Sequence, residues 1–337
     1  MKEFFGNLPD GGIAHLYTIS CGPLTAKISD LGATLVQLHV PDRNGKTADV
    51  VLGFDDPAAY IASGTFLGAT VGRNANRVKN ACFVLNNTTW SMPANEGQNN
   101  LHSGPNCYKN RLWNVILHTE NTITLSLHSP HGDQGMPGNA DIQVTYTLEQ
   151  DGIRITYDAM SDRDTVFNFT NHSYFNLAGH DKAENAMDQL LTLPARFFNP
   201  ADSESIPTGE LRSVADTPMD FRSPKPIGRD INEDYDALNL QGGYDHNFEV
   251  FCNPCAILTD PESGREMAVY TDCPGVQFYS ANYTDEIGKG GARYPKRSAI
   301  CLETQFYPDA VNHPEWPQPI YKAGEKYHSE TKYCFTW

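Results

Sequence analysis

Short segments in which polar and apolar residues alternate, separated by turn signals, recur from one end of this 337-residue chain to the other. A repeat of two is the strand repeat, in which successive side chains point to opposite faces, whereas a helix would show a repeat near 3.6. Helical periodicity is almost absent. Residues 141–148 alternate, turn at Gln150-Asp151-Gly152 and resume with Ile153, Ile155 and Tyr157, which spells a β-hairpin. Residues 112–118 and 122–128 make a second hairpin through Glu120-Asn121. Residues 256–258 and 267–270 make a third around Asp260-Pro261-Glu262-Ser263-Gly264. The expected class is all-β, a large antiparallel β-sandwich of packed sheets.

Length alone would allow two domains, but no composition shift marks a junction and no internal repeat is visible, so residues 1–337 are expected to form one domain. Residues 198–243 differ from the rest, being rich in Pro, Gly, Asp and Ser. Their interior apolar residues, Ile206, Leu211, Met219, Phe221 and Ile227, favour ordered loops lining a site over a disordered linker.

Within this strand-rich background one carboxylate stands out. Glu303 is the sole charge in the run 299–307, and an ionised carboxylate in such surroundings must be paired, hydrogen-bonded or raised in pKa. The strand repeat puts Cys301, Glu303, Gln305 and Tyr307 on one face and Ile300, Leu302 and Phe306 on the other. The run 167–175 has the same design, with Asn168, Thr170, His172 and Tyr174 opposite Phe167 and Phe169. Both polar faces read as walls of a cleft.

A net charge of −16 and a pI near 5.0 argue against nucleic acid or an anionic membrane as partner, because both need a basic footprint. The N-terminal residues lack the apolar stretch of a signal peptide and no apolar run approaches a membrane span, so a cytoplasmic location is expected. Eight scattered cysteines read as reduced thiols, and Cys252-x-x-Cys255 has no second pair to complete a zinc site. No metal is expected.

Four further clusters, 72–78, 99–104, 243–248 and 308–314, set Asn, His, Arg or Asp beside turn residues at strand ends. Sugar hydroxyls donate and accept at once, so a sugar site needs such side chains in fixed positions with an aromatic face nearby. Each cluster alone is equally what turn chemistry requires.

Taken together, Gly72-Arg73-Asn74-Ala75-Asn76-Arg77, Asn100-Leu101-His102, residues 170–177, Tyr244-Asp245-His246-Asn247-Phe248, residues 274–279 and Glu303-Thr304-Gln305-x-Tyr307-Pro308-Asp309-Ala310 resemble, in the same order, the motifs of the aldose 1-epimerases, the galactose mutarotases. The resemblance implies the β-sandwich of the galactose mutarotase type and interconversion of the α and β anomers of free aldoses such as galactose and glucose, with no cofactor. It implies His172 as general acid and Glu303 as general base. Asn76, Arg77, His102, Tyr174, Asp245 and Gln277 would contact the sugar, in a monomer or weak dimer. Asp245 is expected to help keep His172 charged, and His102 to support rather than lead. Ser103 replaces a glycine usual in the family and Phe306 a polar residue. A glycoside hydrolase using Asp245 and Glu303, an epimerase of hexose 6-phosphates and a non-catalytic sugar sensor are the competing readings.

Overall fold

The computed structural model describes residues 1–337, and the antiparallel sandwich is built from three principal ladders. The largest has nine strands in the order Asn114–His118, Thr122–Ser129, Ala140–Glu149, Gly152–Ser161, Lys326–Thr336, Glu266–Thr271, Ala256–Thr259, Leu190–Thr192 and Lys225–Pro226. The hairpins read from alternation lie in it as adjacent pairs. In Ala140–Glu149 the inward residues Ile142, Val144, Tyr146 and Leu148 are buried while Asp141 and Gln143 face water. The N-terminal fifty residues form a five-stranded meander from Lys2–Asn7 to Thr47–Asp49. A second five-stranded sheet, ordered Arg212–Ser213, Phe197–Phe198, Asp245–Glu249, Gly275–Tyr279 and Cys301–Gln305, carries much of the site.

The main core lies between the sheets. It draws Ile28 and Leu38 from the meander, Val144 and Ile155 from the large sheet, and Phe248, Phe278 and Leu302 from the third. Phe278 stacks on Tyr244 at 4.9 Å between ring centroids and meets Phe221 edge-on at 5.4 Å. Truncating such a ring to alanine costs about 3–5 kcal/mol. Because Phe278 and Leu302 point into the core, their chain neighbours Gln277 and Glu303 are turned the other way, toward the cleft. Both α-helices, Pro57–Ala62 and Asp236–Gln241, are six residues long. No helix is long and apolar enough to cross a membrane.

Two expectations need correction. The run 167–175 is not one strand: Thr165–Val166 pairs with Ile320–Tyr321 and Thr170–Asn171 with Thr70–Val71, with single bridges at Asn168 and Phe175. A segment that changes partner every few residues cannot hold one ladder, and its other face is also polar, since Asn171 donates to the Gly68 carbonyl and to Tyr146 Oη. Residues 198–243 are ordered, with Ile206, Met219, Phe221 and Ile227 buried, but Leu211 is exposed because it precedes Arg212–Ser213, the outermost strand of its sheet. All eight cysteines are free thiols.

Candidate active site

The register of the third sheet assembles one wall from three strands. Asp245 pairs with Tyr279 and Tyr279 with Cys301, while in the next row Asn247 pairs with Gln277 and Gln277 with Glu303. Residues paired across an antiparallel ladder share a face, so Asp245, Gln277 and Glu303 converge although they lie 58 positions apart at the extremes (303 − 245). Gln277 Nε2 donates to Asp245 Oδ1 at 2.6 Å, which leaves Gln277 one step behind the cleft and fixes the carboxylate in front of it.

The opposite wall comes from a two-residue ladder in which Arg77–Val78 pairs with Asn100–Leu101. Asn76 and His102, which flank it, both adopt left-handed backbone conformations, with φ of 61° and 51°. Such conformations are uncommon outside glycine and cluster at functional sites. The two residues lock each other. The His102 N–H donates to the Asn76 carbonyl at 3.0 Å and the Asn76 N–H donates to His102 Nδ1 at 3.2 Å. An acceptor at Nδ1 requires the proton of the neutral ring to sit on Nε2, so His102 is built as a neutral donor. Ser103, also left-handed at φ 66°, holds both the N–H and the carbonyl of Asn74 through its hydroxyl, at 2.9 and 3.0 Å. That pair of bonds holds a serine in a backbone conformation that glycine takes more readily.

His172 follows the Thr170–Asn171 strand and lies in an aromatic slot. Tyr174 stacks on one side at 5.0 Å and 11°, and Phe66 on the other at 5.9 Å and 20°. His172 Nε2 lies 3.6 Å from Glu303 Oε1. The cleft these walls enclose has a volume of about 460 Å³, and seven of the eight candidate residues line it: Asn76, Arg77, His102, His172, Tyr174, Asp245 and Glu303. Phe66, Glu96, Tyr279, Tyr283 and Glu286 line it as well. Four of these come from loops or a short strand with no repeat or motif to single them out, whereas Tyr279 ends the 274–279 motif and shares the Gln277 strand.

Burial dominates the electrostatics. It draws the His172 imidazole down to about 3, and it raises the Glu303 carboxyl well above the carboxylate range, an effect that Asp245 reinforces and Arg77 opposes. Asp245 itself is raised by burial against the pull of Arg77 and Gln277, and His102 is held well below its ordinary value first by burial and then by the nearby His172 and Arg77. Asp245 is thus committed to Gln277 and Arg77 and acts on Glu303, in contrast to the expectation that it would sustain a charge on His172.

His102, His172 and Glu303 have ligand atoms within 4.8 Å of one another, a set that could suit a divalent metal. The donor chemistry opposes this. With Nδ1 occupied by the Asn76 N–H, Nε2 of His102 carries a proton and presents no lone pair.

Not every polar cluster belongs here. Arg73 points away from the cleft into the scaffold, and Asp309, Asn312 and His313 line a separate recess of about 330 Å³ with Lys79, Asn80 and Asp202.

A family model described as Aldose 1-epimerase matches residues 15–334. The galactose mutarotase of Bos taurus is 40% identical, covering 99% of this chain and 98% of that protein, and the aldose 1-epimerase of Haemophilus influenzae is 40% identical over 98% of both. Among solved structures, the GalM/aldose epimerase homologue from C. elegans superposes with a TM-score of 0.88 at 32% identity, covering 96% of this chain and 99% of that one. With a match of this length in sequence and in fold, the chain belongs to the aldose 1-epimerase family.

Proposed function

We propose that residues 1–337 act as one domain that interconverts the α and β anomers of free aldohexoses, galactose and glucose among them, in the cleft between Glu303 and His172. The observation that carries the reading is the 3.6 Å approach of the His172 Nε2 to the Glu303 Oε1 in a buried slot. Burial pushes both groups toward their uncharged forms, so between their two titrations the pair holds one proton and titrates as a unit.

That proton does the work. Moving it from Glu303 to His172 creates a carboxylate and an imidazolium side by side, and the aromatic faces of Phe66 and Tyr174 favour the cation. Glu303 then takes the proton of the C1 hydroxyl as His172 delivers one to the ring oxygen, and the hemiacetal opens. Rotation about C1–C2 presents the other carbonyl face, and closure returns both protons. Each positioned group contributes about 10²- to 10⁴-fold. Neutral His102 donates from Nε2 to a sugar oxygen, while Asn76, Arg77 and Asp245 hold hydroxyls and Tyr174 packs behind His172.

Polarimetry of freshly dissolved α-D-galactose and α-D-glucose tests this. Acceleration over buffer is expected with both, and none of the hydrolysis of an aryl glycoside that a hydrolase using Asp245 and Glu303 would give. Sugar binding without acceleration would make the protein a sensor.

A further inference from the structure

Arg77 is the sole lysine or arginine lining the cleft, which it shares with four acidic side chains, Glu96, Asp245, Glu286 and Glu303. Its guanidinium is largely spent on one of them. Nε donates to Glu96 Oε2 at 2.7 Å and Nη2 to Glu96 Oε1 at 2.9 Å, a two-pronged pair, while Nη1 lies 3.8 Å from Asp245 Oδ2. The Glu96 carboxylate makes no other hydrogen bond, and the tight turn around it is held by main-chain bonds between Glu96 and Asn99. Its side chain is therefore dispensable for the turn and engaged wholly with Arg77. Of the two, Arg77 is the more enclosed, at 11% side-chain exposure against 35%.

Resting on the reading of this cleft as the sugar site, we infer that Glu96 is a specificity-determining residue. It neutralises the one permanent cation that a sugar meets and leaves the cleft with an excess of acidic over basic side chains in Asp245 and Glu286, so that aldoses bearing a carboxylate or phosphate are rejected. A neutral sugar loses nothing by this, because hydroxyls are still served by Nη1, Asp245 and Asn76. An anionic sugar must enter an acid-rich cleft and finds the guanidinium charge already paired with Glu96, which is discrimination by repulsion.

The experiment compares mutarotation of α-D-galactose and of D-galacturonate by the wild-type chain, by Glu96→Gln and by the double variant Glu96→Gln with Arg77→Gln. Wild type is expected to favour galactose in kcat/KM by about 100-fold, Glu96→Gln to narrow that ratio about tenfold through a lower KM for galacturonate, and the double variant to widen it again. An unchanged ratio in Glu96→Gln, or equal use of both sugars by wild type, overturns the inference. A loss of rate on both sugars alike would mark Glu96 as structural and overturn it too. Should the variant fail to fold, the wild type alone decides: raising salt from about 10 mM to about 0.5 M should improve galacturonate relative to galactose, because repulsion is screened. A decline with salt would mean that Arg77 attracts anions, contrary to the inference. Failure of wild type to accelerate even galactose would instead strike the reading of the site.

Discussion

Around Arg73 the chain meets a fully buried guanidinium with neutral acceptors alone, at both Nη groups, while Nε has no partner. Its Nη1 donates to the Pro137 and Gly138 carbonyls and to Thr165 Oγ1, and its Nη2 to the carbonyl and hydroxyl of Ser129. Four residues later, Arg77 is placed between carboxylates and opens on the cleft. The first region ties together the 129–138 loop, the 165 strand and the 72–74 turn. The second leaves Nη1 available to a ligand. Neutral acceptors around an enclosed guanidinium mark scaffold, and carboxylates around a guanidinium that opens on a concave place mark a site. Glu303, which lines the cleft with Oε2 buried and without a hydrogen-bond partner, belongs to the second kind.

If that division is right, variants in the cleft should change rate and leave stability, and variants in the anchor should do the reverse. The largest effect is expected for Glu303→Gln, which keeps volume and shape but cannot accept a proton; kcat for galactose should fall about 10³-fold, with the urea midpoint no lower than wild type. Arg73→Met should come next, in the opposite sense. It removes five hydrogen bonds that the guanidinium donates and should lower the unfolding free energy by about 3 kcal/mol in urea titrations, while kcat per folded molecule stays within about twofold. His172→Asn should lose about 10²-fold in kcat with KM little altered; a change confined to KM would move His172 from the chemistry to binding.

The smallest expected effect sharpens the boundary inside one strand. His246 neighbours Asp245 but faces the core, meeting Phe198 edge-on, and burial lowers its pKa to about 3. The unfolded chain, with histidine near 6.5, binds a proton between about pH 6.5 and 3 that the folded one refuses, so this part of stability is complete above 6.5 and is lost as pH falls, by about 1.4 kcal/mol per pH unit. His246→Asn can keep the bond that Nδ1 accepts from the Asp245 N–H, and should flatten the slope of unfolding free energy between pH 6.5 and 5 without touching the rate.

The sequence made the walls of this architecture legible because they rest on local repeats. Alternation located the hairpins, and the lone charge of Glu303 among strand formers marked the floor of the cleft. What alternation could not show is assembly. Phe66, Glu96 and Tyr283 lie on turns whose composition is that of any loop, and only the fold brings them over His172 and Arg77. Arg73 and Arg77 look alike in one motif, since nothing local tells which will meet the carbonyls of a loop sixty residues away. Residues 167–175 misled for a related reason: alternation reports which side chains face which way, but a ladder also needs one continuous partner. Asp309 and His313 sit in turn chemistry as sequence placed them, and the fold directs them to another recess.

The most direct measurement is made on two variants together, Glu303→Gln and Arg73→Met, each assayed for initial mutarotation of α-D-galactose and for unfolding free energy in urea. The account predicts that Glu303→Gln is folded and nearly inactive and that Arg73→Met is destabilised and, where folded, fully active. A Glu303→Gln protein that still mutarotates galactose at close to the wild-type rate would contradict it.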